Sequence, residues 1–281
     1  TGYTKGLETY LTYNWSNDIH DVTAMIGYSV SKNYGSWVSA GADTFPKDGM
    51  IRDLGLTQNE DSRKGSCAFN AETRFVSYFG RVMYSFMNRY NLTATVRRDG
   101  SSNFGAGNRW GTFPSVAASW RISEEPFMKD IKWISNLKLR LGWGQTGNAG
   151  SPTNLSVNQL STASNMYHFY NLGSGTNTFT TASGMSYAKV IDTNLKWETN
   201  EQTNIGLDFS LLNGDLNVAL DYFVRYSKDM LLYKSVRRST GFDNVYTNAG
   251  EIRNRGFEFS VSYNKRLNKD WTIGATLTGS T

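Results

Sequence analysis

Residues 97–147 read RRDGSSNFGAGNRWGTFPSVAASWRISEEPFMKDIKWISNLKLRLGWGQTG. The second half of this stretch holds two runs of period two, joined by a short, charged connection. In the first, Val116, Ala118, Trp120 and Ile122 alternate with Ser115, Ala117, Ser119 and Arg121. In the second, Leu137, Leu139, Leu141 and Trp143 alternate with Lys138, Arg140, Gly142 and Gly144. Side chains along a strand point alternately to opposite faces, so each run puts one face in an oily medium and the other in a wet one. What the oily face touches is a question for the rest of the chain.

The same alternation runs outward in both directions. Leu7, Thr9, Leu11, Tyr13 and Trp15 lead to a tight turn at Asn17–Asp18, and His20, Val22, Ala24, Ile26, Tyr28 and Val30 lead away from it. After a polar segment without sustained period, residues 31–73, Val76, Tyr78, Val82, Tyr84 and Phe86 approach a turn at Asn88–Arg89. Tyr90, Leu92, Ala94 and Val96 follow it. A loop at residues 99–112 precedes the opening hairpin, and a second loop, rich in Ser, Thr, Asn and Gly, occupies residues 148–194. Ile205, Leu207, Phe209 and Leu211 then run into Asn213-Gly214, and Leu216, Val218, Leu220, Tyr222, Val224 and Tyr226 run out. Asn-Gly between alternating strands is the strongest short hairpin signal. Beyond a loop at residues 234–250, Phe257, Phe259, Val261 and Tyr263 pair across a turn at residues 264–269 with Trp271, Ile273, Ala275 and Leu277.

This gives about ten strands, many alternating over about 9 residues or more, the length a tilted strand needs to cross a bilayer. Connections sort into two kinds by turns, compact after Ser16, Met87, Ile122, Leu212 and Asn264 and long between them. A transmembrane barrel has this signature, with short periplasmic turns and longer external loops. Aromatic residues sort with it. Tyr13, Trp15, Tyr84, Phe86, Tyr90, Trp120 and Trp271 stand on oily faces beside short turns, and Tyr28, Trp143, Tyr226 and Phe257 near long loops. The expected fold is all-β, a segment of a transmembrane antiparallel β-barrel. A soluble β-sandwich or solenoid with an aromatic core is the rival architecture.

Composition narrows the classes. In 281 residues, hydrophobic types make up 39% and aromatics 14%, with 16 Tyr, 15 Phe and 8 Trp. Mean hydropathy is −0.47, and no run reaches the ~18 apolar residues of a spanning helix. The 29 basic and 24 acidic residues leave a net charge of +5, too small and scattered for a nucleic-acid partner. One cysteine, Cys67, excludes an internal disulfide, and four prolines suit long strands. Thr1 opens the chain without a leader-like segment, which reads as an internal fragment of a longer precursor and leaves localisation open.

Signals for chemistry are poor, and the chain is not expected to be an enzyme or to hold a metal or other cofactor. His20 and His168 lie far apart without ligand spacing around them. Gly142-Trp-Gly-Gln-Thr-Gly147 matches G-x-G-x-x-G literally, but Pro152 and the absence of helical periodicity after it remove the dinucleotide fold the motif needs. Glycines that let a strand bend at a barrel rim are the expectation. Ser123 before Glu124–Glu125 reads as the cap of a helix start. The wet faces carry Arg81, Arg97, Arg121, Arg140, Asp208, Asp221 and Arg225; Asp221 and Arg225, four apart on one face, could pair through neighbours. Candidate ligand contacts are the charged Arg97, Arg121, Arg140, Asp208, Asp221 and Arg225, with the loop aromatics Tyr34, Trp37, Trp110, Tyr167 and Tyr170 as stacking surfaces for sugar rings or peptide side chains. A structural polar network for the former, and loop packing for the latter, are the alternatives.

Several longer motifs carry a resemblance. Arg98-Asp-Gly-Ser-Ser-Asn-Phe-Gly, Asn108-Arg-Trp-Gly-Thr-Phe-Pro-Ser and Ser119-Trp-Arg-Ile-Ser-Glu-Glu-Pro-Phe come first. Ile134-Ser-Asn-Leu-Lys-Leu-Arg-Leu-Gly-Trp-Gly-Gln-Thr-Gly-Asn, Leu195-Lys-Trp-Glu-Thr-Asn-Glu-Gln-Thr-Asn-Ile-Gly-Leu-Asp and Asn248-Ala-Gly-Glu-Ile-Arg-Asn-Arg-Gly-Phe-Glu-Phe follow. In this order, over residues 97–263, they resemble the SusC/RagA-type TonB-linked outer-membrane proteins. The resemblance implies a barrel of about 22 strands, with residues 1–281 as one segment of it and the N-terminal plug domain and TonB box absent from this chain. It further implies localisation in the cell outer membrane, contact with outer-membrane lipid and a SusD-type surface lipoprotein as lid. Coupling to the TonB–ExbB–ExbD complex, and active import of oligosaccharides, glycans or peptides, follow from the same resemblance. A passive or plugged barrel acting as receptor or adhesin, and a soluble carbohydrate-binding β domain, are the alternative functions.

Overall fold

A computed structural model describes residues 2–42, 57, 64–150, 160–161, 169–174, 178–183, 186–187 and 189–281. Ten long strands form a single sheet. They are β1 (Gly2–Ser16), β2 (His20–Gly41), β3 (Lys64–Phe86), β4 (Tyr90–Ser101), β5 (Trp110–Arg121), β6 (Ile134–Asn148), β7 (Glu198–Leu211), β8 (Leu216–Lys228), β9 (Ile252–Arg266) and β10 (Thr272–Ser280). Their order in the sheet is their order in the chain, and every pairing is antiparallel. The result is an up-and-down meander whose first and last strands stand at opposite ends. It is a wall, not a closed barrel.

The registers put the alternating residues on common faces. Across β2 to β5, Ala24 faces Val82, Val82 faces Ala94, and Ala94 faces Val116. Val116 faces Trp143 and Leu141 faces Ile205, while Leu207 faces both Leu139 and Leu220. Leu220 faces Phe259, and Val261 faces Leu277. One side of the sheet therefore carries the alternating apolar series, and we call it the outer face. Its residues are not covered by a second layer: Leu11 is 69% exposed, Ile26 65%, Ile205 50% and Leu277 64%. A sandwich would bury these side chains, because apolar area this extensive is stable only against another apolar medium. The outer face suits lipid.

Short and long connections fall at opposite ends. At the short-turn end, Asn17 Oδ1 accepts hydrogen bonds from the Ile19 and His20 N–H groups at 2.9 and 2.7 Å. Met87 and Asn88 both adopt positive φ, with the Arg89 N–H donating to the Phe86 carbonyl at 3.0 Å. Leu212, Asn213 and Gly214 do likewise in the Asn-Gly turn. Positive φ at the central residues gives a turn the twist of the strands it joins. An aromatic row marks this end of the outer face, with ring centroids 5.9 Å apart for His20–Tyr84, 5.2 Å for His20–Phe86 and 6.2 Å for Tyr90–Trp120.

The structure corrects several sequence expectations. Residues 31–73 are not wholly loop: β2 continues to Gly41 and β3 starts at Lys64, with a register shift between Asn33 and Gly35. The sequence there holds no sustained period, while the backbone pairing continues through the register shift. The segment at residues 234–250 contains half of a hairpin, Leu231–Ser235 against Asn244–Asn248. Ser123 caps no helix. Two 3₁₀ turns, Ile122–Glu124 and Pro126–Met128, begin after Arg121 and Glu125 without a side-chain cap. Gly142, Gly144 and Gly147 lie toward the long-loop end of β6, paired with β7 in continuous register, and no helix opens at them. At Gly147 a Cβ would collide with the Phe113 ring, so that glycine makes room for an aromatic neighbour.

Candidate functional site

The second face of the sheet, here the inner face, carries the charged residues. Arg140 on β6 stands opposite Gly206 on β7, and Gly206 stands opposite Asp221 on β8. Because Gly206 has no side chain, Arg140 can reach across it. Its Nε and one terminal nitrogen donate to the two Asp208 carboxylate oxygens, both at 2.8 Å, and that terminal nitrogen also donates to Asp221 Oδ2 at 2.9 Å. A Cβ at position 206 would lie 2.5 Å from Asp221 Oδ1 and 2.7 Å from Arg140 Cζ. The planar guanidinium fork suits this two-carboxylate clamp, which a lysine could not reproduce. All three side chains are partly exposed, so the cluster stays wet.

Two other inner-face arginines are held separately. Arg97 donates from Nε to Asp99 at 2.7 Å and from Nη2 to the buried Ser77 hydroxyl at 3.0 Å, with its guanidinium 6.0 Å from the Phe79 ring centroid. Arg225 donates through two nitrogens to Gln202 Oε1, at 3.1 and 2.9 Å. The expected coupling of Asp221 with Arg225 is therefore replaced: Asp221 belongs to Arg140 and Arg225 to Gln202. Two shallow hollows of mixed lining adjoin the Arg140 cluster. One of about 270 Å³ is lined in part by Asn91, Thr93, Ser119 and Asn204, and one of about 280 Å³ by Asn136, Ser210, Asn217 and Ser262. The inner wall thus offers many dispersed hydrogen-bonding groups and charge of both signs.

Other candidates lie elsewhere. Arg121 sits at the short-turn end, where it donates to Glu124 at 3.1 Å and to the Asn88 carbonyl at 3.3 Å. Tyr34 and Trp37 are strand residues of β2, not loop residues, and Tyr34 stacks on Tyr3 at 5.3 Å on the outer face. Trp110 opens β5, not a loop, and stacks on Tyr78 at 6.0 Å, also on the outer face. Both tyrosine and tryptophan therefore point away from the inner wall. Tyr170 falls in a strand, Phe169–Ser174, paired with Thr178–Ser183. Tyr167 lies outside the described residues, as does His168.

Sequence reading missed a packed nucleus at the long-loop end. Phe104, Phe113, Leu195, Trp197 and Leu231 form the buried apolar cluster of the described residues, joined by Phe75, Ala149 and Tyr246. Trp197 is its centre: Phe104, Phe113 and Phe75 approach it at 5.3, 5.5 and 5.8 Å, and its Nε1–H donates to the Arg109 carbonyl at 3.1 Å. Nearby, Asn248 Nδ2 donates to the Lys196 and Asp229 carbonyls at 2.9 and 2.8 Å, and Asn248 Oδ1 accepts from the Lys196 N–H at 2.8 Å. The signal was available in part, since Phe104, Phe113, Leu195, Trp197 and Asn248 sit in the long motifs, whose mutual contacts no single strand period reveals. They pin connections from distant parts of the chain to the rim.

Short turns at one end, a packed loop nucleus at the other, an apolar outer face and a charged inner face are the parts of a transmembrane β-barrel wall. All 281 residues match the family model described as TonB dependent receptor-like, beta-barrel, and the chain belongs to that family. Within it the chain is of the SusC/RagA type. It is 35% identical over 277 residues to the TonB-dependent receptor SusC of Bacteroides thetaiotaomicron, across 92% of this chain and 27% of that protein. It is 33% identical to the TonB-dependent receptor P3 of Formosa agariphila, across 94% of this chain and 25% of that protein. Among solved structures, the RagAB peptide importer in its closed-closed state superposes with a TM-score of 0.84 at 26% identity, over 99% of this chain and 29% of the other. The chain thus spans about a quarter to a third of the length of these relatives.

Proposed function

We propose that this chain is part of the wall of an outer-membrane, TonB-dependent importer of large nutrients, oligosaccharides, glycans or peptides. One observation carries the reading: a ten-stranded meander with an uncovered apolar outer face and a charged inner face, its short and long connections sorted to opposite ends. In the complete protein a plug domain fills the lumen, and a TonB box couples it to the TonB–ExbB–ExbD complex. A SusD-type surface lipoprotein closes the long-loop end. The wall has no catalytic role. Its inner face, with Arg97, Arg140, Asp208, Asp221 and Arg225, faces the plug or the passing ligand, and its polar groups exchange one hydrogen-bonded partner for another as the path opens.

Uptake by cells carrying the complete gene tests this. Labelled oligosaccharides and peptides should accumulate only with the gene present, and accumulation of the accepted class should stop when the proton-motive force is dissipated. Accumulation that persists without that force would make the protein a passive barrel. Release of the full-length protein from membranes without detergent would make it a soluble binding domain.

A further inference from the structure

The outer face is not apolar throughout. Toward the long-loop end of β1 to β3 it carries Lys5, Lys32 and Arg74, and on β4 it carries Arg98. Arg253 and Arg255 occupy the same height on β9, opposite Tyr226 and Val224. Acidic residues at this height are already engaged: Glu72 with Lys32 and Arg74, and Glu201 with Lys228. Lys5, Arg98, Arg253 and Arg255 meet no carboxylate among the described residues, and three of them lie against aromatic rings: Lys5 on Tyr3 at 5.2 Å, Arg98 on Trp110 at 5.5 Å and Arg253 on Tyr226 at 5.1 Å. At the short-turn end the same face carries the aromatic row and Lys265, which faces Asp215 at 3.5 Å. On the outer-face strand positions of the described residues, the positive charge without a carboxylate thus lies toward the long-loop end.

Around Arg98 the charge meets a groove. Arg98 stands opposite Tyr78 and Thr112, Tyr78 opposite Tyr28, and Gly80 opposite Ile26 and Val96. These residues line a hollow of about 950 Å³, mostly apolar, that runs from Arg98 toward the middle of the sheet. Gly80 forms its floor, and a Cβ placed there meets nothing closer than 3.8 Å.

We propose that this groove binds a phosphorylated glycolipid of the outer leaflet, with an acyl chain over Gly80 between Ile26 and Val96 and a phosphate on Arg98. The inference rests on the membrane-barrel reading above, which puts the long loops outside the cell. The occupant follows from charge and shape. An arginine held on a tryptophan at the membrane interface, with spare donors and no carboxylate, is complementary to a phosphate. The smooth apolar hollow beneath it offers contact to hydrocarbon. A neutral lipid would leave the Arg98 donors unused, and a protein partner would have to displace lipid from the groove's apolar floor.

The test uses the full-length protein, purified in detergent and incubated with lipid A, with dephosphorylated lipid A in a parallel arm. Native mass spectrometry counts the bound lipid. Lipid A should be retained, and retention should fall about tenfold in Arg98→Gln, which removes the charge, and in Gly80→Leu, which fills the hollow. Arg81→Gln, on the opposite face, should keep it. Should Gly80→Leu fail to give a heat-modifiable barrel, Arg98→Gln decides alone. Equal retention of the dephosphorylated lipid, or unchanged retention in Arg98→Gln, would overturn the site. A full-length protein that needs no detergent would instead overturn the membrane reading beneath it.

Discussion

Gly206 sits where three charged side chains converge, and its missing Cβ is what lets Arg140 reach both Asp208 and Asp221. Replacing it with valine should cost about 1–3 kcal/mol through overpacking, read as a lower urea midpoint for the detergent-embedded barrel. Arg140→Lys should cost less than about 1 kcal/mol, because the partly exposed cluster is screened by water. A second residue-scale device lies at the short-turn end. The carboxylate of Glu125 accepts from the Tyr90 hydroxyl at 2.6 Å and from Trp120 Nε1–H at 3.1 Å, with Arg89 at 3.6 Å. The Tyr90 hydrogen bond first, then that of Trp120, holds its pKa below the usual carboxylate value of 4.5. A depressed folded-state value stabilises above the unfolded one and ceases to as pH falls through the folded one. Glu125→Gln should therefore be less stable than the native protein at neutral pH. The gap should close as pH falls below about 4.5, measured by thermal unfolding across that range.

At the scale of the strand, what was legible in the sequence and what was not have different physical causes. Period-two alternation in β6, β7 and β8 reported facing directly, because one neighbour of the sheet is uniformly apolar. The short turns were legible from Asn17, Asn88 and Asn213-Gly214, whose side chains or backbone angles favour tight reversal. The extensions of β2 to Gly41 and of β3 back to Lys64 were not, since their sequence holds no sustained alternation and the register shifts between Asn33 and Gly35. Tyr34 lay in that aperiodic segment and Trp110 in the Gly-rich run before the β5 alternation, so both were placed in loops. The Arg140–Asp208–Asp221 cluster was visible only as a shared face. Its pairing required the β6–β7–β8 register, which strand sequences do not state. Leu207, between Leu139 and Leu220 on the outer face, gives the strand-scale prediction. Leu207→Arg should cost about 2–4 kcal/mol near the bilayer midplane, while Arg at the neighbouring Asp208 should cost appreciably less in the same refolding titration. Equal costs would contradict the assigned facing.

For the molecule as a whole, the asymmetry of the sheet organises everything else. One face is apolar and the other charged, and short turns and long loops stand at opposite ends. Apolar burial within the described residues is slight, confined to the nucleus around Trp197 at the long-loop rim. Stability must therefore come from the strand ladder, the surrounding hydrocarbon and the rest of a barrel of which this chain spans about a quarter to a third. The most direct test of this account is a spin-label scan along β8 at Asn217, Val218, Ala219 and Leu220, in full-length protein with Cys67→Ser and reconstituted into bilayers. Collision with dissolved oxygen, which concentrates in hydrocarbon, should be high at Val218 and Leu220 and low at Asn217 and Ala219. Oxygen accessibility without that two-residue alternation would contradict the account.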